Sequence, residues 1–259
     1  MLKINRLSKT FYPGTEEENQ VFNEFSLDIR GEECTAILGP NGCGKSTLFN
    51  LISGKIQEDQ GSIQLENVNL SDLNEENRAR YIGKVMQDPS KGVSPNLTVL
   101  ENMTIARKKG QKFTLKSLLK NQDKEVVIEE LKTINLGLEN KLNTKVKYLS
   151  GGQRQSLSLL MATLVKPDLL LLDEHTAALD PKTSQVIMEK TVELIEREKM
   201  MTLMITHSLR NAVQFADRVI MLNHGQIMFD LKTQDLTEIE LEELYYETIN
   251  QSLKTASKY

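Results

Sequence analysis

The residues Gly39-Pro40-Asn41-Gly42-Cys43-Gly44-Lys45-Ser46-Thr47 carry the spacing G-x-x-x-x-G-K-S/T. Chemistry of one kind fits them, the holding of a phosphate chain. Glycine tolerates dihedrals that let successive backbone N–H groups turn inward around an anion. Lys45 is placed to reach the β- and γ-phosphates, the Ser46 hydroxyl to ligate Mg²⁺, and Thr47 to support the phosphates. Cys34 to Leu38 (CTAIL) reads as a short buried strand and Lys45 to Ile52 as a helix, so the turn sits where a phosphate loop belongs. The helix N-terminus adds partial positive charge. The loop alone leaves a GTPase, a kinase, a helicase and a transporter motor open.

Leu169 to Leu172 is a run of four leucines closed by Asp173-Glu174. A continuous apolar run suits a strand buried on both faces of a parallel sheet, and its C-terminal end is where such sheets bind ligands. There Asp173 can hold the Mg²⁺ shell and Glu174 can polarise a water against the γ-phosphate. The alternative is two acids capping the next helix. Ser150-Gly151-Gly152-Gln153 precedes a helix with Leu157, Leu160, Met161 and Leu164 on one side. It reads either as a second anion site or as an ordinary N-cap. His207 stands at the end of the strand Thr202 to Thr206, beside the expected γ-phosphate, which favours a phosphate-sensing role. Phe11 and Tyr12 precede an acidic loop, Pro13 to Gln20. A ring there can stack on adenine or pack under a β-layer.

The elements that must position these groups follow from periodicity. Leu2 to Leu7, Phe25 to Ile29, Gly61 to Glu66 and Tyr81 to Gln87 read as strands. Asn67 to Arg80 reads as turn with short helix, and Asp88 to Asn96 as a loop. Thr98 to Arg107 and Lys124 to Leu136 carry helical spacing, the second with Val127, Leu131 and Ile134 on one face. Between them Arg107 to Lys120 is strongly basic, either a solvated face or a contact for anionic lipid or another chain. This region reads as a helical insertion into an α/β core. Asp180-Pro181 starts a helix running towards Glu198. Arg218 to Leu222 and Gln226 to Asp230 read as a hairpin around Asn223-His224-Gly225. From Leu231 the tail is acidic, then helical.

The chain of 259 residues is long enough for one α/β domain with an insertion, and its 39% hydrophobic content can build a core. A net charge of −4 gives no global nucleic-acid signal. No apolar stretch approaches the roughly 20 residues that span a bilayer, and Met1 to Arg6 shows no signal-peptide h-region. Cys34 and Cys43 are too few for a disulfide framework and read as reduced thiols in a cytosolic protein. Cys43 reads as a small residue that fits its loop, or as an oxidation-sensitive one.

The phosphate loop, Leu149-Ser150-Gly151-Gly152-Gln153 and the leucine strand closed by Asp173-Glu174 occur in this order in one chain. That combination resembles the ATP-binding cassette (ABC) ATPases, over roughly residues 1 to 235. The resemblance implies a P-loop NTPase (RecA-like) α/β core, an N-terminal antiparallel β-subdomain and an inserted α-helical subdomain at about 88–160, followed by a helical tail at 236–259. It implies ATP and Mg²⁺ as cofactors. Gly39 to Thr47 matches the Walker A loop, and Leu169 to Glu174 matches Walker B, with Glu174 as the catalytic carboxylate. Gln87 matches the glutamine that touches Mg²⁺ and the attacking water, so Ser46, Gln87 and Asp173 are the implied metal-side residues. Ser150 to Gln153 matches the signature that binds the γ-phosphate held by the opposite subunit. Ala178-Leu179-Asp180 matches the loop that crosses the dimer interface, His207 the switch histidine, and Phe11 the adenine-stacking aromatic, with Tyr12 as runner-up. His175 departs from the pattern, where a small residue or proline is more usual.

The same resemblance implies a head-to-tail homodimer with ATP between the copies, integral-membrane permease subunits, and indirectly a solute-binding protein. No nucleic-acid partner is expected: ABC proteins of ribosomes or DNA carry two cassettes or a long coiled-coil insert. The implied place is peripheral, on the cytoplasmic face of a bacterial cell membrane. Asp88-Pro89-Ser90, Asn135 to Asn140, Ser156 to Thr163 and Glu174 to Pro181 look like the ATPases of tryptophan/tyrosine-type importers. A lipoprotein-release or export motor is the alternative within the class. A non-enzymatic scaffold is disfavoured by the presence of Glu174.

Overall fold

A computed structural model describes residues 1–109 and 121–256. In chain order its first half contains β1 (Leu2–Phe11), β2 (Asn19–Ile29), β3 (Cys34–Leu38), α1 (Lys45–Ser53), β4 (Gln60–Leu65), β5 (Val68–Asn69), α2 (Glu75–Arg78), β6 (Ile82–Val85), α3 (Val99–Arg107) and α4 (Asn121–Lys132). There follow α5 (Gly151–Thr163), β7 (Leu169–Asp173), α6 (Pro181–Glu198), β8 (Thr202–Ile205), α7 (Leu209–Phe215), β9 (Arg218–Asn223), β10 (Gln226–Lys232) and α8 (Glu238–Ala256). The chain divides into two compact units, Met1–Glu75 with Met201–Tyr259, and Glu76–Met200.

The first unit holds an antiparallel sheet of order β2-β1-β4-β5. Strands β1 and β2 run further than alternation alone predicts. They pair from Leu2↔Ile29 to Phe11↔Asn19, with register shifts after Ile4, Leu7 and Lys9. Each shift interrupts the period-2 pattern that marks a strand in sequence. In the same unit β3 lies parallel to both β8 and β9, with Ile37 opposite Ile205 and Ile220. All five residues of β3 are buried, and a leucine or isoleucine buried this fully contributes about 1.5–3 kcal/mol. The hairpin β9–β10 turns on His224 and Gly225 alone, at φ 46 and φ 70, and Asn223 belongs to β9. Two positive-φ residues in a two-residue turn match the twist of the flanking strands. Gly225 is also required sterically: a Cβ there would lie 1.9 Å from the Val21 carbonyl oxygen.

In the second unit β6 and β7 pair in parallel, Val85 opposite Leu172, and Leu169 to Leu172 are fully buried. Helix α3 starts on a capping box, Thr98 accepting from the Glu101 N–H while Glu101 accepts from the Thr98 N–H. The segment before α3 is tied to residues 142–147: Val99 N–H donates to Thr144 and Val146 N–H to Leu97. Val127, Leu131 and Ile134 are buried as their spacing predicts. Arg107 pairs with Glu130 at 2.9 Å, joining α3 to α4. Past position 109, the basic run expected up to Lys120 lies outside the described residues.

Candidate functional site

In the first unit the phosphate loop leaves the C-terminal end of β3 and enters α1. Its three glycines sit at φ 146, 80 and 110 for Gly39, Gly42 and Gly44, a region that residues with a Cβ rarely adopt. The loop is also crowded from behind. A Cβ on Gly39 would meet the Leu222 carbonyl oxygen at 2.2 Å and Cys43 Sγ at 2.7 Å; one on Gly44 would meet the Phe22 ring at 3.0 Å. The Gly225 N–H donates to the Cys43 carbonyl at 3.3 Å, pinning the loop to the hairpin tip. Lys45 is 6% exposed and donates to the carbonyl oxygens of Gly39 at 2.6 Å and Pro40 at 3.0 Å. Its ammonium thus lies inside the curl of the loop. Ser46 is exposed and Thr47 half-buried. Burial raises the Cys43 thiol above its ordinary pKa, partly offset by the neighbouring Lys45, which disfavours the reactive thiolate.

His207 follows β8, and the register Ile37↔Ile205 sets it at a strand end next to the one that feeds the loop. The Thr206 N–H donates to the Ile37 carbonyl at 3.4 Å, and Ser208 caps α7. His207 itself is exposed. Phe11, at the end of β1, is half-buried with the Lys9 ammonium 5.7 Å from its ring centre. Tyr12, at φ 52, is 64% exposed.

In the second unit β6 and β7 deliver Gln87 and Asp173-Glu174 from neighbouring parallel ends. Gln87 Nε2 donates to Glu174 Oε2 at 3.2 Å. Gln87 and Asp173 line a cavity of about 320 Å³ with Met86, Asp88 and Ala178. Glu174 has φ 46, a strained backbone for a residue with a long side chain and of the kind that collects at functional sites. Gln155, fully buried, donates to the Met86 carbonyl at 3.3 Å and fixes the start of the Gln87 segment. No local signal marks Gln155 for this, because the contact spans 69 positions.

The stretch Ser150 to Gln153 forms the N-cap that its sequence allows. Ser150 caps α5 in a capping box, accepting from the Gln153 N–H at 3.2 Å while Gln153 Oε1 accepts from the Ser150 N–H at 3.3 Å. Lys141 donates to the same Gln153 oxygen at 3.0 Å. The glycines serve packing. A Cβ on Gly152 would lie 2.4 Å from Thr183 Cγ2, and one on Gly151 3.3 Å from Leu179 Cδ2. Only glycine lets the start of α6 come so close to the start of α5. Asp180 caps α6 by accepting from the Thr183 N–H at 3.1 Å.

His175 is fully buried behind Glu174. Its Nε2 lies 3.2 Å from Thr191 Oγ1, whose hydroxyl donates to the Ile187 carbonyl. The neutral ring therefore donates its Nε2 proton to threonine. Burial pushes the His175 pKa down from 6.5 to about 4. The unfolded chain binds a proton below pH 6.5 that the folded chain refuses. This contribution to stability is complete above pH 6.5 and is lost as pH falls towards 4. At about 1.36 kcal/mol per pKa unit, the unaltered chain should lose about 2 to 3 kcal/mol more than His175→Asn between pH 7 and pH 4.5. Urea unfolding at the two pH values checks it, and equal losses reject the assignment.

A buried strand, a glycine turn curled around a lysine, a helix, and a second strand closed by Asp173-Glu174 define a P-loop nucleoside triphosphatase. Residues 22–177 match the ABC transporter family. The chain belongs to that family as an ATP-binding subunit, and it is an ATPase of the ABC class. It is 45% identical over 244 residues to a tyrosine transport ATP-binding protein of Clostridioides difficile (strain R20291), covering 94% of this chain and 97% of that one. A phosphonates import ATP-binding protein, PhnC 1 of Ruegeria sp. (strain TM1040), is 31% identical over 249 residues, 95% of this chain and 94% of its own. Among solved structures the dimeric post-hydrolysis state of the cassette MJ0796 bound to ADP and Pi superposes with a TM-score of 0.77 at 30% identity, covering 91% of this chain and all of that one. The fold expected from the sequence, an α/β P-loop core with an antiparallel β-subdomain and a helical insert, is the fold of these cassettes. Cassettes of this class form dimers and work with membrane permease subunits. Among the described residues no helix is long and apolar enough to cross a membrane.

Proposed function

We propose that this chain powers uptake of an aromatic amino acid, tyrosine foremost, through separate permease subunits. The observation that carries the substrate is the 45% identity to a tyrosine transport ATP-binding protein across nearly the whole of both chains. A phosphonate importer among the other relatives favours uptake over lipoprotein release or export. In this reading residues 1–235 are the ATPase domain, with the helical subdomain at about 88–160, and 236–259 are a helical tail. The chain works as a peripheral protein on the cytoplasmic face of the membrane, and a solute-binding protein delivers the substrate to the permease.

Lys45 and the loop N–H groups hold the phosphates of ATP, and Phe11 stacks on adenine. Ser150, Gly151, Gly152 and Gln153 of one copy face the γ-phosphate held by Gly39 to Thr47 of the other. Glu174 holds the attacking water as general base, Gln87 orients that carboxylate, and His207 senses the γ-phosphate. Among the described residues no group of three or more His, Cys, Asp or Glu side chains could hold a metal. Mg²⁺ needs less, one or two carboxylates with phosphates and waters. Ser46, Gln87 and Asp173 each present the hard oxygen it takes. Bound with ATP, Mg²⁺ would neutralise charge developing on the phosphates.

The permease finds its seat on the second unit. A cavity of about 740 Å³ there is lined by Ile82, Gly83, Ile105 and Met161 together with Arg80 and Lys84. Uptake of radiolabelled tyrosine and tryptophan by cells lacking the chain tests the assignment. Tyrosine uptake should fall to background and return with the unaltered gene. Tyrosine uptake that survives deletion rejects the substrate.

A further inference from the structure

The phosphate loop borders a cavity shared with an element that lies beyond the family-matched residues 22–177. Asn41, Gly42 and Cys43 of the loop, His224 of the hairpin tip, and Ile249 and Ser252 of α8 line one cavity of about 240 Å³. Helix α8 is well anchored. Thr237 and Glu240 exchange hydrogen bonds at its start, Leu241 is fully buried, and the helix packs against α7. Tyr245, one turn before Ile249, is half-buried. Its phenol is raised by burial first and then by the nearby Cys43 thiol. So the loop is held by the Gly225 N–H on the Cys43 carbonyl, and α8 borders the cavity beside that hairpin tip.

We propose that α8 is a positioning element for the phosphate loop, acting through Ile249, and that its seating sets how tightly the nucleotide phosphates are held. The physical ground is the loop's composition. Glycine has more backbone freedom to lose than any other residue, and Gly39, Gly42 and Gly44 all stand at positive φ. A loop already confined in its binding shape loses less entropy when phosphate arrives. The hairpin tip confines it through one hydrogen bond. The α8 face limits its excursions from across a cavity of about 240 Å³, through the apolar Ile249 and the small polar Ser252 that line it. Ile249 does not touch the reacting atoms. It works through residues 41–43, so its loss should appear in nucleotide affinity and not in the chemical step.

This inference rests on the reading of Gly39 to Thr47 as the ATP cradle. The test uses the full chain in four forms, unaltered, Ile249→Glu, Ile249→Ser and Ile249→Leu, each first shown folded by circular dichroism at the assay temperature. Titration with a fluorescent ATP analogue and steady-state hydrolysis give Kd, KM and kcat. Ile249→Glu should raise Kd and KM about tenfold, the effect of unseating roughly one ordered residue, with kcat at saturating ATP within about twofold. Ile249→Ser should move the same way by about threefold and carries the reading if the charged variant does not fold. Ile249→Leu should restore both constants. Affinities within twofold of the unaltered chain for Glu and Ser alike overturn the inference, as does a fall in kcat with KM unchanged. An unaltered chain that binds no ATP analogue overturns the cradle reading itself and this inference with it.

Discussion

Glu174→Gln should reduce ATP turnover by about 10³-fold while leaving ATP bound, within the 10²–10⁴ that a positioned general base contributes. The substitution is close to isosteric. Gln87 Nε2 can still donate to the amide oxygen that replaces Oε2, the contact now seen at 3.2 Å, so the local geometry has no reason to change. What disappears is the basic oxygen that, in the proposed mechanism, takes a proton from water. The left-handed backbone at φ 46 aims this side chain by a strain that glutamine shares, so any loss reports on chemistry and not on placement. In the proposed head-to-tail pair, if ATP binds the closed form better than the open one, stopping hydrolysis keeps the closed form populated. The variant should therefore elute as a dimer with ATP and Mg²⁺, and as a monomer with ADP. Phosphate release within tenfold of the unaltered chain would remove Glu174 from the proposed mechanism.

Lys45→Ala should lower ATP affinity by about 100-fold, measured by titration with a fluorescent analogue. A hydrogen bond from a charged group contributes about 1.5–3 kcal/mol, which is roughly 10- to 150-fold at 1.4 kcal/mol per decade. Two losses combine here. The ammonium proposed to reach the phosphates is gone, and the carbonyls of Gly39 and Pro40 lose the donor now 2.6 and 3.0 Å away. Lys45→Arg should not rescue. A flat guanidinium fork cannot occupy a buried niche shaped for a compact point charge, with Cys43 Sγ 3.9 Å from the nitrogen. Affinity within threefold of normal for Lys45→Ala would show that the loop holds ATP by its backbone alone.

The phosphate loop was legible because its demands are local. Glycine at 39, 42 and 44 meets backbone requirements at those very positions, and the flanking strand and helix are marked by apolar runs on either side. The leucine strand was legible for the same reason, four buried residues closed by two acids. What stayed hidden depends on distant chain. The true lengths of β1 and β2 come from pairing through three register shifts, which scramble alternation. Helix α7 is short and offers too few periodic positions to be recognised. Asn223 reads as turn yet completes β9, since the two residues after it suffice to reverse the chain. The contact of Gln155 with Met86 and that of Gly152 with Thr183 are facts of packing. In sequence those residues are one glutamine and one glycine of a motif already assigned to a ligand. His175 is the reverse case, an odd residue in the pattern that turned out to be interior and neutral.

The hydroxyl of Ser150 has one lone pair committed to its own helix, through the Gln153 N–H. Its proton remains to be given away, at the positive end of α5. With the Lys141 ammonium 3.0 Å from Gln153 Oε1, the turn offers donors and positive charge without rearrangement, as the proposed contact with a phosphate needs. In the proposed pair, two copies that approach without a nucleotide would leave this donor without its phosphate, and would have less reason to stay.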